Sequence, residues 1–236
     1  MFCRRFHSAV VPVALDCDRV VIVGAGGFGR EVWQWIRSGG GRSPPIAGFL
    51  DADPRCSLDP DSPPLLADPA RYLPQPGDGL LLAIGIPAVR RRVAAGLESR
   101  GGRFVTFVHP TALLARSARL GAGTVVCPLA VVSDRVTTGR CTLVNYHASL
   151  GHDSATGDYC VLSPNAALGG HAVLGDDVFL GLSASVGPGR RVGDRSKVAA
   201  NSAALSDVAA DRLVVGVPGR PTPLIDIGMA PGDASP

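Results

Sequence analysis

The residues best suited to chemistry lie in the stretch LVNYHASLGHDSATGDYCVLSPNAALGG, positions 143–170. His147 and His152 stand five residues apart, and Asp153 follows the second histidine. Imidazole titrates near neutral pH, so either ring could take a proton from a substrate or bind a metal ion. Two surface side chains on a repetitive scaffold would look the same. A second group lies near the N-terminus. Gly24, Gly26 and Gly29 form a GxGxxG pattern in RVVIVGAGGFGREVWQWIRSG, between a strand signal and a helix signal. Glycines there let the backbone approach a phosphate, and a helix N-terminus favours negative charge. Asp51 follows Gly29 by 22 residues, where an acid could meet a ribose or a base. Glycines kept only for tight helix–strand packing would give the same pattern.

Composition narrows the choices. The chain has 236 residues, enough for one large domain or two small ones. It is 46% hydrophobic with 30 Gly and 20 Pro, which reads as globular and rich in turns. A net charge of +3 is too small to suggest a nucleic-acid partner, and the basic residues, all arginine except Lys197, are scattered. Cysteines 3, 17, 56, 127, 141 and 160 show no CxxC spacing, so they read as reduced thiols in a cytoplasmic protein. No apolar run is long enough to span a membrane. The first 18 residues, with RRFHSAVVPVAL, read as a loosely packed extension rather than an export signal.

Two kinds of element must position these residues. Over 19–107, strand and helix signals alternate: RVVIV with the helix after it, IAGFLDAD, GLLLAIG with the helix PAVRRRVAAGLESRG, and RFVTFV. This βαβ alternation predicts a small parallel sheet with flanking helices, and residues 52–79 read as a loop. About four strands suit a mononucleotide better than a dinucleotide. From Val108 the period becomes six. Val108, Leu114, Leu120, Val126, Val132, Thr138, Val144, Leu150, Thr156, Leu162, Leu168, Leu174, Leu180, Val186, Val192 and Val198 keep one register, and the residue four places later is nearly always small. A hexapeptide β-helix has this period: three hexads close one triangular coil, the aliphatic residue fills the axis, and residue i stacks near i+18. Sixteen hexads make about five coils, a prism roughly 25 Å tall at the ~4.8 Å strand spacing.

Six motifs fall in an order that resembles one family. VIVGAGGFGREV, FLDAD, LLLAIGIPAVRRRV, VHPTALLARSARLGAGTVV, GHDSATGDY and VVGVPGRP are similar to those of bacterial sugar acyltransferases of the left-handed β-helix class. Within that class they resemble the sialic-acid O-acetyltransferases and UDP-4-amino-sugar N-acetyltransferases. The resemblance implies an α/β plus all-β chain, with a small Rossmann-like domain (19–107), a left-handed parallel β-helix (108–203) and a tail (204–236) over the cofactor. It implies a homotrimer, acetyl-CoA as co-substrate between neighbouring prisms, and no metal. A nucleotide-linked amino sugar would be held by Gly24, Gly26, Gly27, Asp51, Asp53 and Gly85, with Asn145 touching the acceptor.

The resemblance also assigns roles. His152 is the general base, Asp153 orients its ring, and the Gly170 N–H stabilises the oxyanion. Gly170, Gly181, Leu182, Val217, Pro218 and Arg220 line the acetyl-CoA site. His147 has no counterpart in the motif and reads as a surface residue. His109 reads as a cap on the start of the prism, and His171 sits near the thioester position. Many members carry a histidine before ISP, where this chain has Val161 before LSP, which bears on the acceptor. Thr156, in place of an aliphatic residue, has no explanation at this level. The acylated atom, nitrogen or a sugar hydroxyl, stays open. Two rival classes are a non-catalytic nucleotide-sugar-binding scaffold and a zinc hydratase like the prism-shaped carbonic anhydrases. The latter use three histidines, two of them five apart, but the third falls on Thr111 here, and zinc needs three protein ligands.

Overall fold

The computed structural model describes residues 15–38, 44–56 and 59–224. The extension through residue 14 and the end of the tail lie outside the described residues. The first unit is a four-stranded parallel sheet. Its strands are β1 (Arg19–Val23), β2 (Ile46–Leu50), β3 (Leu65–Ala67) and β4 (Asp78–Leu82), in the order β3-β2-β1-β4. Helix α1 (Gly27–Ser38) follows β1 and buries Gly29, Val32, Trp33 and Ile36, a single stripe at helical spacing. Helix α2 (Pro87–Glu98) follows β4, opens with a proline in its first turn, and buries Arg90, Ala94 and Leu97.

Two expectations are corrected here. The fourth strand is Leu65–Ala67, inside the segment read as a loop, where flanking prolines obscure a three-residue signal. RFVTFV is not a strand of this sheet. Phe104 makes one isolated bridge to Leu80, and Phe107–Val108 already belongs to the prism.

The prism is a left-handed parallel β-helix with three faces. The first face stacks Phe107–Val108, Val125–Val126, Leu143–Val144, Val161–Leu162, Phe179–Leu180 and Lys197–Val198. The second stacks Leu113–Leu114, Val131–Val132, Ser149–Leu150, Ala167–Leu168, Ser185–Val186 and Ala203–Ala204. The third holds Ala155–Thr156, Val173–Leu174 and Arg191–Val192, with single bridges below from Arg119 through Thr137. Partners are 18 residues apart, as the hexads require. In each two-residue strand the second side chain points to the axis, and these side chains form one buried column from Val108 to Val214. Pairing continues past residue 203, because Arg212–Val215 adds to the first face after a coil shortened to 16 residues, and Arg220–Pro223 returns antiparallel to it. Thr138 and Thr156 also point inward. Their hydroxyls accept from the backbone N–H groups of Gly121 and Gly139, at 3.1 Å and 3.3 Å, so each inward polar group is satisfied.

The sequence reading missed the conformation of the corners. From Gly123 onward each hexad turns through one residue with positive φ: Leu129, Arg135, Cys141, His147, Asp153, Tyr159, Asn165, His171, Asp177 and Ser183 continue the series. Side-chain-bearing residues adopt this region at a cost of roughly 1–2 kcal/mol, least for Asn, Asp and His. The coil geometry imposes it, and the hydrogen bonds to neighbouring coils offset it.

The α/β unit docks on the first face. Phe107, Val125, Leu143 and Val161 share one buried cluster with Val20, Val32, Trp33 and Phe49. Arg90 passes through the boundary fully buried and without a carboxylate partner. Its guanidinium donates to the carbonyls of Leu82 and Ile84 at the end of β4, and twice to the Cys141 carbonyl at a prism corner, at 2.7 Å and 3.1 Å. Burial lowers its pKa to about 10, so it stays charged at neutral pH. Beside it Arg91 pairs with Asp177 at 2.7 Å and Asp176 at 3.1 Å, and lies over the Tyr159 ring at 4.4 Å.

Among the described residues Cys127, Cys141 and Cys160 are buried free thiols. Burial disfavours the thiolate and pushes Cys160 up to about 12, with Cys127 also well above its ordinary value. At pH 8 the native protein should therefore leave these three unlabelled by a thiol-disulfide reagent. Denaturation in guanidinium should release all three; rapid native labelling of Cys160 would contradict this packing.

Candidate active site

Corner residues between the second and third faces, 151–154 in one coil and 169–172 in the next, bring together His152, Asp153, Gly170 and His171. The His152 ring is exposed. Its Nδ1 lies 2.8 Å from Asp153 Oδ2, which leaves Nε2 as the free nitrogen. Asp153 is held in turn by Arg135 from the coil below, through Nε to Oδ1 at 2.6 Å and Nη2 to Oδ2 at 3.1 Å. The Arg135 contact first, then the His152 contact, holds this carboxyl far below the usual carboxylate range, so it stays an anion at any working pH. His171 stands one coil above Asp153, with its Nε2 3.7 Å from Oδ2 and its ring edge-to-face with His152 at 5.2 Å.

A side chain at Gly170 would displace that ring. A Cβ there would stand 2.7 Å from Cε1 and Nε2 of His152. The Gly170 N–H, like those of Asp134 and His152 at the same corner, finds no acceptor among the described residues. At the third corner, the equivalent N–H groups of Arg140, Asp158 and Asp176 each donate to an aspartate one coil on, at 2.9 Å. Gly151 leaves the Gly170 N–H open from below. A free imidazole nitrogen and a free amide donor thus lie side by side, the pair that proton removal and oxyanion stabilisation need.

His147 belongs to a different corner, between the first and second faces, and so do Asn145, Gly181 and Leu182. His147 is exposed, occupies the positive-φ position and meets Tyr146 edge-on. Asn145 Oδ1 accepts the Tyr146 N–H at 2.8 Å. Gly181 is buried, while Leu182, Val217, Pro218 and Arg220 are exposed. The tail lies against this corner, with the Gly216 N–H donating to Ser202 Oγ at 2.9 Å. Within one chain, therefore, the structure unites His152, Asp153 and Gly170, and keeps them apart from Asn145 and most of the cofactor set. Val161 sits in the interdomain core, 2% exposed, where a polar ring would have to face the α/β domain. His109 lies at the base of the prism against Trp35 and Phe107, its Nδ1 2.9 Å from the Thr111 hydroxyl. Among the described residues the cluster with donors close enough for a metal is His152, Asp153 and His171, and His147 is outside it.

In the α/β unit the Gly-rich turn divides into packing and open positions. Gly24 has φ +111°, and a Cβ there would lie 2.5 Å from the Ala83 carbonyl; one at Gly29 would collide with the Gly24 carbonyl. Gly26, Gly27 and Gly85 would each point a Cβ into open space at the C-terminal ends of β1 and β4. That edge is where parallel α/β sheets bind ligands. Asp51 lies beside the turn, with Oδ2 accepting the Ala25 N–H at 2.7 Å and Oδ1 the Asp53 N–H at 3.0 Å. Asp53 pairs with Arg55 at 3.0 Å.

Residues 19–97 match the PglD N-terminal domain. No curated protein matches the sequence. Among solved structures, PerB from Caulobacter crescentus, determined with CoA and GDP-perosamine, is 30% identical; the match covers 89% of this chain and 99% of that one, with a TM-score of 0.79. The acetyltransferase domain of PglB from Neisseria gonorrhoeae, determined with acetyl coenzyme A, is 25% identical over 87% of this chain and 100% of that one, with a TM-score of 0.80. WeeI from Acinetobacter baumannii, 21% identical over 86% of this chain and 99% of that one, shares the fold with a TM-score of 0.75. The hexapeptide prism, the Gly-rich α/β unit and these likenesses together make the chain a member of the hexapeptide-repeat sugar acetyltransferase family, an acyltransferase of the left-handed β-helix class.

Proposed function

We propose that the chain moves an acetyl group from acetyl-CoA directly to the amino group of a nucleotide-linked sugar, with His152 as general base. The observation that carries this reading is His152 Nε2 beside the unpaired Gly170 N–H, with Asp153 fixing Nδ1. The acceptor nitrogen attacks the thioester carbon as Nε2 takes its proton. The carbonyl oxygen gains charge and accepts from the Gly170 N–H. Collapse breaks the carbon–sulfur bond, and the imidazolium returns the proton to the departing thiolate. Asp153 stays anionic throughout and supports the imidazolium. PerB is described with CoA and a GDP-linked amino sugar, and PglB with acetyl-CoA, which supports the same pair of substrates here.

Asn145, Gly181, Leu182 and the tail at one corner, with His152 at the next, fit a site shared between chains. In a homotrimer the second corner of one prism faces the first corner of its neighbour, and acetyl-CoA lies in the groove between them. The nucleotide lies over Gly26, Gly27 and Gly85. The buried free thiols fit a cytoplasmic enzyme.

His152→Ala should reduce kcat by about 10²–10⁴-fold with both substrates still bound, the usual cost of losing a general base. Asp153→Asn should cost less, and Gly170→Ala should also slow turnover by displacing the ring. His147→Ala should stay close to the parent. Steady-state kinetics decide, and equal losses from His147→Ala and His152→Ala would overturn the assignment. Gly26→Val should fold normally and raise the acceptor KM steeply while leaving the acetyl-CoA KM nearly unchanged; an unaltered acceptor KM would make the turn purely structural. Light scattering should give about three times the 24.2 kDa chain mass. A monomer that turns over would rule out the shared groove.

A further inference from the structure

Beyond the Gly-rich turn, the C-terminal ends of β2 and β3 border an open pocket of about 380 Å³. Pro54, Leu65 and Leu66 supply apolar walls, and Asp51, Asp68 and Arg71 supply the polar groups. Asp51 joins the cavity to the turn through its bond with the Ala25 N–H. Each Asp51 oxygen accepts one backbone donor and keeps a lone pair. Asp68 Oδ1 accepts the Ala70 N–H at 2.8 Å, and among the described residues Oδ2 has no donor. Arg71 is exposed, and its guanidinium pairs with no carboxylate among the described residues, although Asp68 lines the same space.

We propose that this cavity is a base pocket that selects guanine, so that the acceptor sugar is carried on guanosine diphosphate. This rests on the reading that the acceptor is nucleotide-linked. The cavity volume admits any base, and its polar groups discriminate. Two carboxylates and one guanidinium present mostly acceptors and one two-pronged donor. Guanine offers adjacent donors, N1–H and the N2 amino group, that a carboxylate can take as a pair. Its O6 and N7 are the acceptors that an arginine grips bidentately. Uracil and thymine offer one N–H flanked by two carbonyl oxygens, so a carboxylate facing that edge gains one bond and meets two repulsions. Adenine sets its one amino donor beside ring nitrogens without protons, so a carboxylate gains one bond and meets a repulsion. The apolar walls cover the faces of the ring. Asp68 is the specificity residue for the N1/N2 edge of the base and Arg71 its counterpart on the adjoining O6/N7 edge.

The test is calorimetric titration of the full chain with GDP, UDP, dTDP and ADP. GDP should bind at least about tenfold tighter than the other three, the discrimination of one good bidentate pair. Asp68→Asn keeps an oxygen for the Ala70 N–H but swaps an acceptor for a donor. It should weaken GDP about tenfold, leave UDP within a few-fold, and leave the unfolding temperature and acetyl-CoA affinity unchanged. Arg71→Gln should weaken GDP in the same selective way. UDP or dTDP binding as tightly as GDP would overturn the guanine assignment and leave a nucleotide-linked acceptor standing, as would an Asp68→Asn protein that binds GDP like the parent. Failure of all four diphosphates to bind, with acetyl-CoA still bound, would sink the nucleotide-linked reading as well.

Discussion

The hydrogen bonding of each coil to its neighbours governs the rest of this structure. A strand of two residues has no stability of its own. It persists because its amide groups meet those of the strands 18 residues before and after it, and because the corner residue with positive φ donates back to the preceding coil, as Asp153 does to Asp134 and His171 to His152. Any residue placed at a corner inherits this geometry. His152 and Gly170 are neighbours across a coil for that reason alone, although 18 residues separate them in sequence. The proposed site is made by small local departures: a carboxylate that orients a ring, and a missing side chain beside it.

The second governing contact is between the two units. A guanidinium buried without a counter-ion is costly, and several carbonyls must converge on it to make it tolerable. Arg90 meets that requirement only if the end of β4 and the Cys141 corner stay in fixed relation. Loss of either would leave a charge in an apolar boundary. The adjacent Arg91 ties α2 to Asp176 and Asp177, two coils further along. The open edge of the Gly-rich turn is thereby held against one side of a stiff column.

Much of this was legible in the sequence, and the misses have physical causes. Sixfold recurrence of Val and Leu is a long-range signal, so the prism and its register could be read directly. The pairing of His152 with Gly170 followed from the 18-residue coil. Leu65–Ala67 was missed because three residues between prolines carry no period. RFVTFV was misplaced because its tail already obeys the prism period while its start still resembles a sheet strand. Thr156 became intelligible only with the backbone N–H it receives in view. Arg90 reads in sequence as one of three consecutive arginines on an amphipathic helix, and nothing local marks it as the buried one. His147 read as a surface residue despite its five-residue spacing from His152. The coil puts them on different corners, with a strand of the second face between, and the positive-φ preference of histidine accounts for His147 and His171 at such positions.

A column of identical coils also works as a ruler. Height along its axis changes only in whole rungs of about 4.8 Å, because no fractional coil can satisfy both of its neighbours. The α/β unit is pinned to the first face at the level of Cys141, and His152, the proposed general base, sits on the next coil. The distance between the Gly-rich turn, where the proposed nucleotide would rest, and His152 is therefore graduated in rungs. Side-chain changes can adjust it within a rung. A longer or shorter acceptor would require gain or loss of a full 18-residue turn, which makes substrate length a discrete inherited trait of this architecture.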